Sequence, residues 1–249
     1  EDARAWCLGG CLESAPGCFS PLEYNGKVTM IPGGASPTCG TGIHFTALPK
    51  ILELVLTNGV DRRTGKRVFP AHNEKIETYD QMVALWQRYL DISNRIVNRV
   101  NNMQMDIWRK YNMPAVNSLL KADCFKKGQH IGNCGARYNA CINFESCGTI
   151  TYINSLASIK KNVFDDQKYT LEEMTDAMVH NFGFKTAYET NVFSPDFRES
   201  TPEAAKYAQI FADCVNAPKY GNADPYVDQL LRDYQMYLKD YLPTLKSYY

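Results

Sequence analysis

The chain has 249 residues, 45% of them hydrophobic, which is enough to bury a sizeable core in one large domain or two small ones. Its 27 basic and 27 acidic side chains cancel to a formal charge of zero, which excludes the long-range field that gathers nucleic acid or an anionic membrane and favours a small or neutral partner. Nine cysteines make an odd number, the start Glu1-Asp2-Ala3-Arg4 lacks a basic-then-apolar leader, and no run of about 18 apolar residues is present, so reduced thiols and a cytosolic setting are expected.

Residues 1 to 45 are punctuated by turn signals at Gly9-Gly10, Pro16-Gly17, Asn25-Gly26, Pro32-Gly33-Gly34 and Gly40-Thr41-Gly42. This stretch reads mainly as loop, with one strand at Lys27 to Ile31. From Thr46 to Thr57 the positions Leu48, Ile51, Leu52 and Val55 have helical spacing, and Asn58-Gly59 supplies the stop. Asp80 to Tyr111 carries apolar residues every three or four positions, from Met82 through Ile96, Val100 and Ile107, which predicts one long amphipathic helix.

A short helix is expected at Pro114 to Leu120 and another at Leu171 to Asn181, where Thr170 and Glu173 complete a capping box. Thr201-Pro202 opens a helix to about Asn216, and Asp224-Pro225 opens a last one that Pro243 ends or kinks. The best further strand candidate is Cys147 to Tyr152. Internal repeats and low-complexity linkers are not found.

The segment Trp6 to Gly17 is the first with chemical promise. Gly9 and Gly10 free the backbone before Cys11, so a narrow loop can carry that sulfur into a cavity, and Glu13 follows two residues later. Taken alone, a buried thiol beside a tight turn explains the same residues. His44 and Glu145 have apolar neighbours in Ile43, Phe45 and Phe144, and a semi-buried setting suits proton transfer. A hydrogen-bonded structural histidine and an ordinary acid are the plainer alternatives.

Cys134, Cys141 and Cys147, with Cys124 upstream, are separated by six and five intervening residues among the last three, which fits no compact zinc or iron–sulfur pattern. No metal ligand set is therefore expected. Phosphate-binding loops, Gly-x-Ser-x-Gly elbows and His-Glu-x-x-His motifs are missing from the sequence.

The Gly10 to Glu13 loop, followed by Asn58-Gly59-Val60-Asp61 and Thr64-Gly65-Lys66, resembles the thiyl-loop region of glycyl radical enzymes. Asn154 to Lys161, Val163 to Asp165 with Tyr169, and Pro218 to Asn222 with Tyr226 to Asp228 look like further blocks of that family, in the same order. Cys11 is followed by Leu12, so the adjacent cysteine pair of pyruvate formate-lyase is missing, and Trp6 to Ser14 is more similar to the arylacetate decarboxylases of the family. His44 and Glu145 stand where the branch acting on phenolic substrates uses a histidine and a glutamate.

The resemblance implies an α/β fold: a ten-stranded barrel of two antiparallel five-stranded half-barrels surrounded by helices. Residues 1–249 would form part of that one domain, with the cysteine loop at about 6–20 and a helical wall at about 46–249. It implies a lyase that converts 4-hydroxyphenylacetate to 4-methylphenol and carbon dioxide, with Cys11, Glu13 and Glu145 catalytic and His44, Glu145 and Cys11 binding substrate.

It also implies a glycyl radical outside this segment, since the family's Arg-Val-x-Gly-Tyr stretch does not occur here. An S-adenosylmethionine-dependent iron–sulfur activating enzyme would install that radical. Further implications are a small iron–sulfur subunit, a hetero-oligomer, an anaerobic cytoplasm, no cofactor bound in this segment, and an inactive isolated segment cut from a longer chain. The alternatives are an indoleacetate or phenylacetate decarboxylase or a dehydratase of the same family, a cysteine-rich metal-binding module, and a helical interaction domain without chemistry.

Overall fold

The computed structural model describes residues 6–9, 13–16, 19–24, 27–32, 43–111, 115–119, 122–133, 135, 143–184 and 201–245. They divide into two compact units. The first takes residues 1–46, 93–145 and 243–249, and the second residues 47–92 and 146–242.

In the first unit, β1 (Trp6–Gly9) pairs antiparallel with β2 (Glu13–Pro16), and β3 (Phe19–Tyr24) with β4 (Lys27–Pro32). The expectation of loop with a single strand is corrected here. Tyr24 pairs with Lys27, the innermost pair of a six-residue antiparallel register that ends at Phe19 opposite Pro32. Pro21 has no N–H to give, and a two-stranded ribbon leaves an unpaired edge where that is tolerated. A third ribbon joins β5 (Ile43–Ala47) to β6 (Asn143–Cys147). Two short helices, α3 (Ala115–Leu119) and α4 (Ala122–Lys127), also belong to this unit.

Helix α1 (Leu48–Leu56) begins with Pro49 in its first turn and ends where Asn58 and Gly59 take φ of 53° and 81°. Helix α2 (Tyr79–Tyr111) is continuous over 33 residues. Its two parts bury different chemistry. Met82, Leu85, Trp86, Tyr89 and Leu90 are core residues, whereas Ile96, Val100, Met103 and Ile107 are exposed and Asn94 and Asn101 are buried. The apolar repeat therefore faces the core only in the first three turns, and carboxamides take over the buried face beyond them.

The expected strand at Cys147 to Tyr152 is a helix in all but its first two residues. β6 ends at Cys147, Gly148 takes φ of 76°, and α5 runs from Thr149 to Ile159. Thr149, Ile150 and Thr151 have strand propensity, yet Tyr152, Ile153, Leu156 and Ala157 form one buried helical face, and that packing outweighs propensity of a few tenths of a kcal/mol per residue. The helix continues as a π-helical turn over Lys160–Asp165.

Helix α6 (Leu171–Val179) has both capping-box bonds, α7 spans Pro202–Asn216, and α8 spans Pro225–Tyr241 with an Asp224 cap. The second unit's core gathers α1, the start of α2, α5, α6, α7 and α8. At its centre the rings of Trp86 and Tyr152 stack at 4.3 Å, and Tyr234 stands edge-on to both at 5.9 and 5.7 Å.

Candidate functional site

Glu13 opens β2 opposite Gly9, so the antiparallel register brackets residues 10–12 between paired positions. Cys11 falls in that connection and lies outside the described residues. His44 is the second residue of β5 and Glu145 the third of β6, and these two strands are hydrogen-bonded neighbours. Residues about a hundred positions apart in sequence thus lie on adjoining strands of one ribbon.

Two residues beyond His44, Thr46 Oγ1 donates to Asn94 Oδ1 of α2 at 3.1 Å, and both side chains are buried. Sequence reading missed this pair. The signal that could have found it was the run Asn94, Asn98, Asn101 and Asn102, which recurs at helical spacing inside an otherwise apolar and charged helix.

The blocks singled out by resemblance interlock as framework in the second unit. Asp61 is bonded to Lys50, which also holds Glu53, and its second oxygen accepts from the Thr64 amide at 3.0 Å. The Lys50 hydrogen bond keeps the Asp61 carboxyl well below the usual carboxylate range. Asn154 Oδ1 accepts from the Tyr220 amide at 2.8 Å, tying one block to another. Lys160 bonds both oxygens of Asp165 at 2.9 Å and lies 5.0 Å from the Tyr226 ring centre, while the Tyr226 hydroxyl donates to Asp165 at 2.8 Å. The Tyr169 hydroxyl donates to Asp213 at 2.6 Å; burial and this carboxylate push its pKa up to about 12.

Buried Asn162 fastens the π-turn. Its Nδ2 donates to Ser158 O at 2.9 Å, and its carbonyl accepts from the amides of Lys168 and Tyr169. These contacts set chain geometry, and no residue of these blocks belongs to the β5–β6 ribbon.

Of the cysteines among the described side chains, Cys124 is buried and Cys147 and Cys214 are partly so, all as free thiols. Burial pushes the Cys214 thiol up to about 11, and its hydrogen points at Met174 Sδ, 3.6 Å away, which is the setting of an inert thiol. No group of three or more His, Cys, Asp or Glu able to hold a metal ion occurs among the described residues. They offer nothing that fits an iron–sulfur cluster. No described helix is long and apolar enough to cross a membrane.

The described residues form a helix-rich segment with three two-stranded ribbons, and Cys11 lies in sequence between the paired strands β1 and β2. The family described as pyruvate formate lyase-like matches residues 1–249, and the chain belongs to this family of glycyl radical enzymes. It is 73% identical over all 249 residues to the 4-hydroxyphenylacetate decarboxylase glycyl radical subunit of Clostridium scatologenes, covering 28% of that protein. It is 34% identical over 235 residues to the indoleacetate decarboxylase of Tractidigestivibacter scatoligenes, covering 92% of this chain and 24% of that one. The chain thus spans about a quarter of the length of these relatives.

A solved structure from work on 1,2-propanediol dehydration in Roseburia inulinivorans superposes with a TM-score of 0.76 at 24% identity, covering 99% of this chain and 27% of that one. The fold is accordingly a helix-rich segment of the glycyl radical enzyme barrel.

Proposed function

We propose that the intact protein is a glycyl radical decarboxylase that converts 4-hydroxyphenylacetate to 4-methylphenol and carbon dioxide, and that this segment supplies the cysteine loop and part of the helical wall of its single barrel domain. The observation that carries the reading is the 73% identity along the whole chain to a subunit so named. The family resemblance assigns Cys11, Glu13, His44 and Glu145 to this chemistry, and the adjacency of β5 and β6 supports joint action of His44 and Glu145.

The glycyl radical, outside this segment, supplies the hydrogen-atom abstraction that makes Cys11 a thiyl. Cys11 takes one electron from the substrate carboxylate and becomes a thiolate, while Glu145 accepts the phenolic proton. Carbon dioxide leaves, and the unpaired electron spreads from the benzylic carbon into the ring and its oxygen. Glu13, as the acid, protonates the Cys11 thiolate. The thiol then gives a hydrogen atom to the benzylic carbon, which regenerates the thiyl, and Glu145 returns its proton to the phenolate. One proton from solvent restores Glu13, so the turnover balances. His44 orients the phenol and tunes Glu145. Water and oxygen must be excluded from such a radical, which suits a closed cavity and an anaerobic cytoplasm.

The relatives' designation as a glycyl radical subunit supports a hetero-oligomer, in which a small iron–sulfur subunit and an S-adenosylmethionine-dependent activating enzyme are the partners. The test is Glu145→Gln in the intact, anaerobically activated enzyme, with rates divided by the glycyl radical content from electron paramagnetic resonance. Turnover of 4-hydroxyphenylacetate should fall by about 10²-fold or more, as befits loss of a general base. Unaltered turnover refutes the phenol-deprotonation role. Cys11→Ser should abolish turnover, and activity in that variant refutes the reading altogether.

A further inference from the structure

We infer that Thr46 and Asn94 are positioning residues for the proposed reaction, a buried hydrogen-bonded pair that fixes the face and register of β5 against α2 and so sets where His44 stands. The inference rests on the decarboxylase reading for the role of His44. Thr46 is 7% exposed and Asn94 4% exposed, and Thr46 Oγ1 donates to Asn94 Oδ1 at 3.1 Å. Positions 44 and 46 are one strand repeat apart.

A neutral hydrogen bond of this kind adds little net stability, because replacing both partners by apolar groups of the same shape is often nearly neutral. What it adds is specificity. The β5–β6 ribbon has two strands of five residues, and a short two-stranded pairing specifies its own register weakly. A slip of one residue would put Phe45 where Thr46 stands and Ile43 where His44 stands. It would also take the Thr46 hydroxyl away from Asn94 Oδ1 and bury that carboxamide oxygen without its donor, which is costly. The carboxamide therefore selects the register in which a hydroxyl occupies position 46.

The helix is suited to that task. Asn94 lies on the part of α2 where buried carboxamides replace the apolar core, and Asn101, two turns further on the same face, is fully buried. Apolar packing in this part of the helix would favour the slipped register, in which the apolar residues Ile43, Phe45 and Ala47 replace His44 and Thr46 on that face. A polar contact point does not.

The experiment uses the intact, anaerobically activated enzyme, with rates divided by glycyl radical content, and compares Thr46→Val, Thr46→Ser, the double variant Thr46→Val with Asn94→Leu, and His44→Gln. Thr46→Val should lower kcat/KM for 4-hydroxyphenylacetate by about tenfold or more, since displacement of a catalytic element by about 1 Å can cost 10²-fold. It should also shift the pH dependence of kcat/KM, because the separation of the proton-transferring groups changes. Thr46→Ser should restore both. The double variant should melt near the wild-type temperature and remain impaired.

If Thr46→Val keeps kcat/KM within twofold while His44→Gln is crippled, the positioning role is overturned and the decarboxylase reading stands. A loss of rate in Thr46→Val with an unmoved pH profile also overturns it, as does full activity in the double variant. Full activity in His44→Gln overturns the positioning role together with the function assigned to His44.

Discussion

Gly59 closes α1 in a left-handed conformation, and replacing it with alanine tests the turn that joins Asn58 to Asp61. Gly59 has φ of 81°; its amide donates to Leu54 O at 2.6 Å, and its carbonyl accepts from the amides of Val68 and Phe69 at 2.9 and 3.1 Å. A Cβ added here would press into the carbonyl of Phe69 and lie 3.1 Å from Pro70 O. Both are backbone atoms, so relief requires the chain to move. The left-handed conformation costs alanine about 1 kcal/mol, and the crowding adds about 1–3, for a total of about 2–4 kcal/mol.

Gly65 is the control. Its φ is 65° and nothing lies within 4 Å of an added Cβ, so Gly65→Ala should cost only about 1 kcal/mol. Native-state hydrogen exchange by mass spectrometry on the intact protein reads both, through the Val68 and Phe69 amides. Gly59→Ala should speed their exchange roughly 30- to 700-fold, and Gly65→Ala roughly fivefold, at a factor of ten per about 1.4 kcal/mol. Equal effects of the two substitutions would refute the close-approach argument.

On α5, Ile153 is fully buried and Ile150 is exposed. Ile153→Ala should lower stability by about 2–4 kcal/mol and Ile150→Lys by less than about 0.5, measured as shifts in the thermal midpoint; a strand at Cys147 to Tyr152 would put Ile150 on the same face as Tyr152 and predict a heavy cost for the lysine. Thr170→Ala removes the side-chain cap on the Glu173 amide and should cost about 1 kcal/mol. Glu173 sits below its ordinary 4.5 because its carboxylate accepts the Thr170 amide and bonds Lys206. A depressed folded pKa gives stability that is complete above about 4.5 and lost as pH falls through the lower folded value. The gap in thermal midpoint between wild type and Glu173→Gln should therefore narrow on acidification below that point, and a gap that widens instead would refute the assignment.

The helices were legible where caps and periodicity agreed. Thr170 with Glu173, Thr201-Pro202 and Asp224-Pro225 mark their own starts, because the capping contacts are made within a few residues of each other. The π-turn at Lys160–Asp165 has no such local mark, and the strand-like run from Cys147 to Tyr152 pointed the wrong way past its first residue. Both depend on burial against α1, α7 and α8, which a window of sequence does not contain.

The candidate site divides in the same manner. Residue types and spacing draw attention to Cys11 and Glu13, since glycines before a thiol and a nearby carboxylate are visible in the chain itself, whereas His44 and Glu145 are singled out only by the family resemblance. Thr46 and Asn94 are individually ordinary residues in sequence. They become informative only through a hydrogen bond between positions 48 residues apart.

By itself the sequence determined which residues can do chemistry, where most helices begin and end, and the family to which the chain belongs, because those are properties of residue identity and short-range spacing. Only the tertiary structure decided that Asn58 to Asp61 and the later blocks are framework, that the buried face of α2 changes from apolar to carboxamide along its length, and that β5 meets β6. The physical reason is that burial and partner choice are set by segments far apart in the chain, and a buried polar group draws its meaning from what stands opposite it.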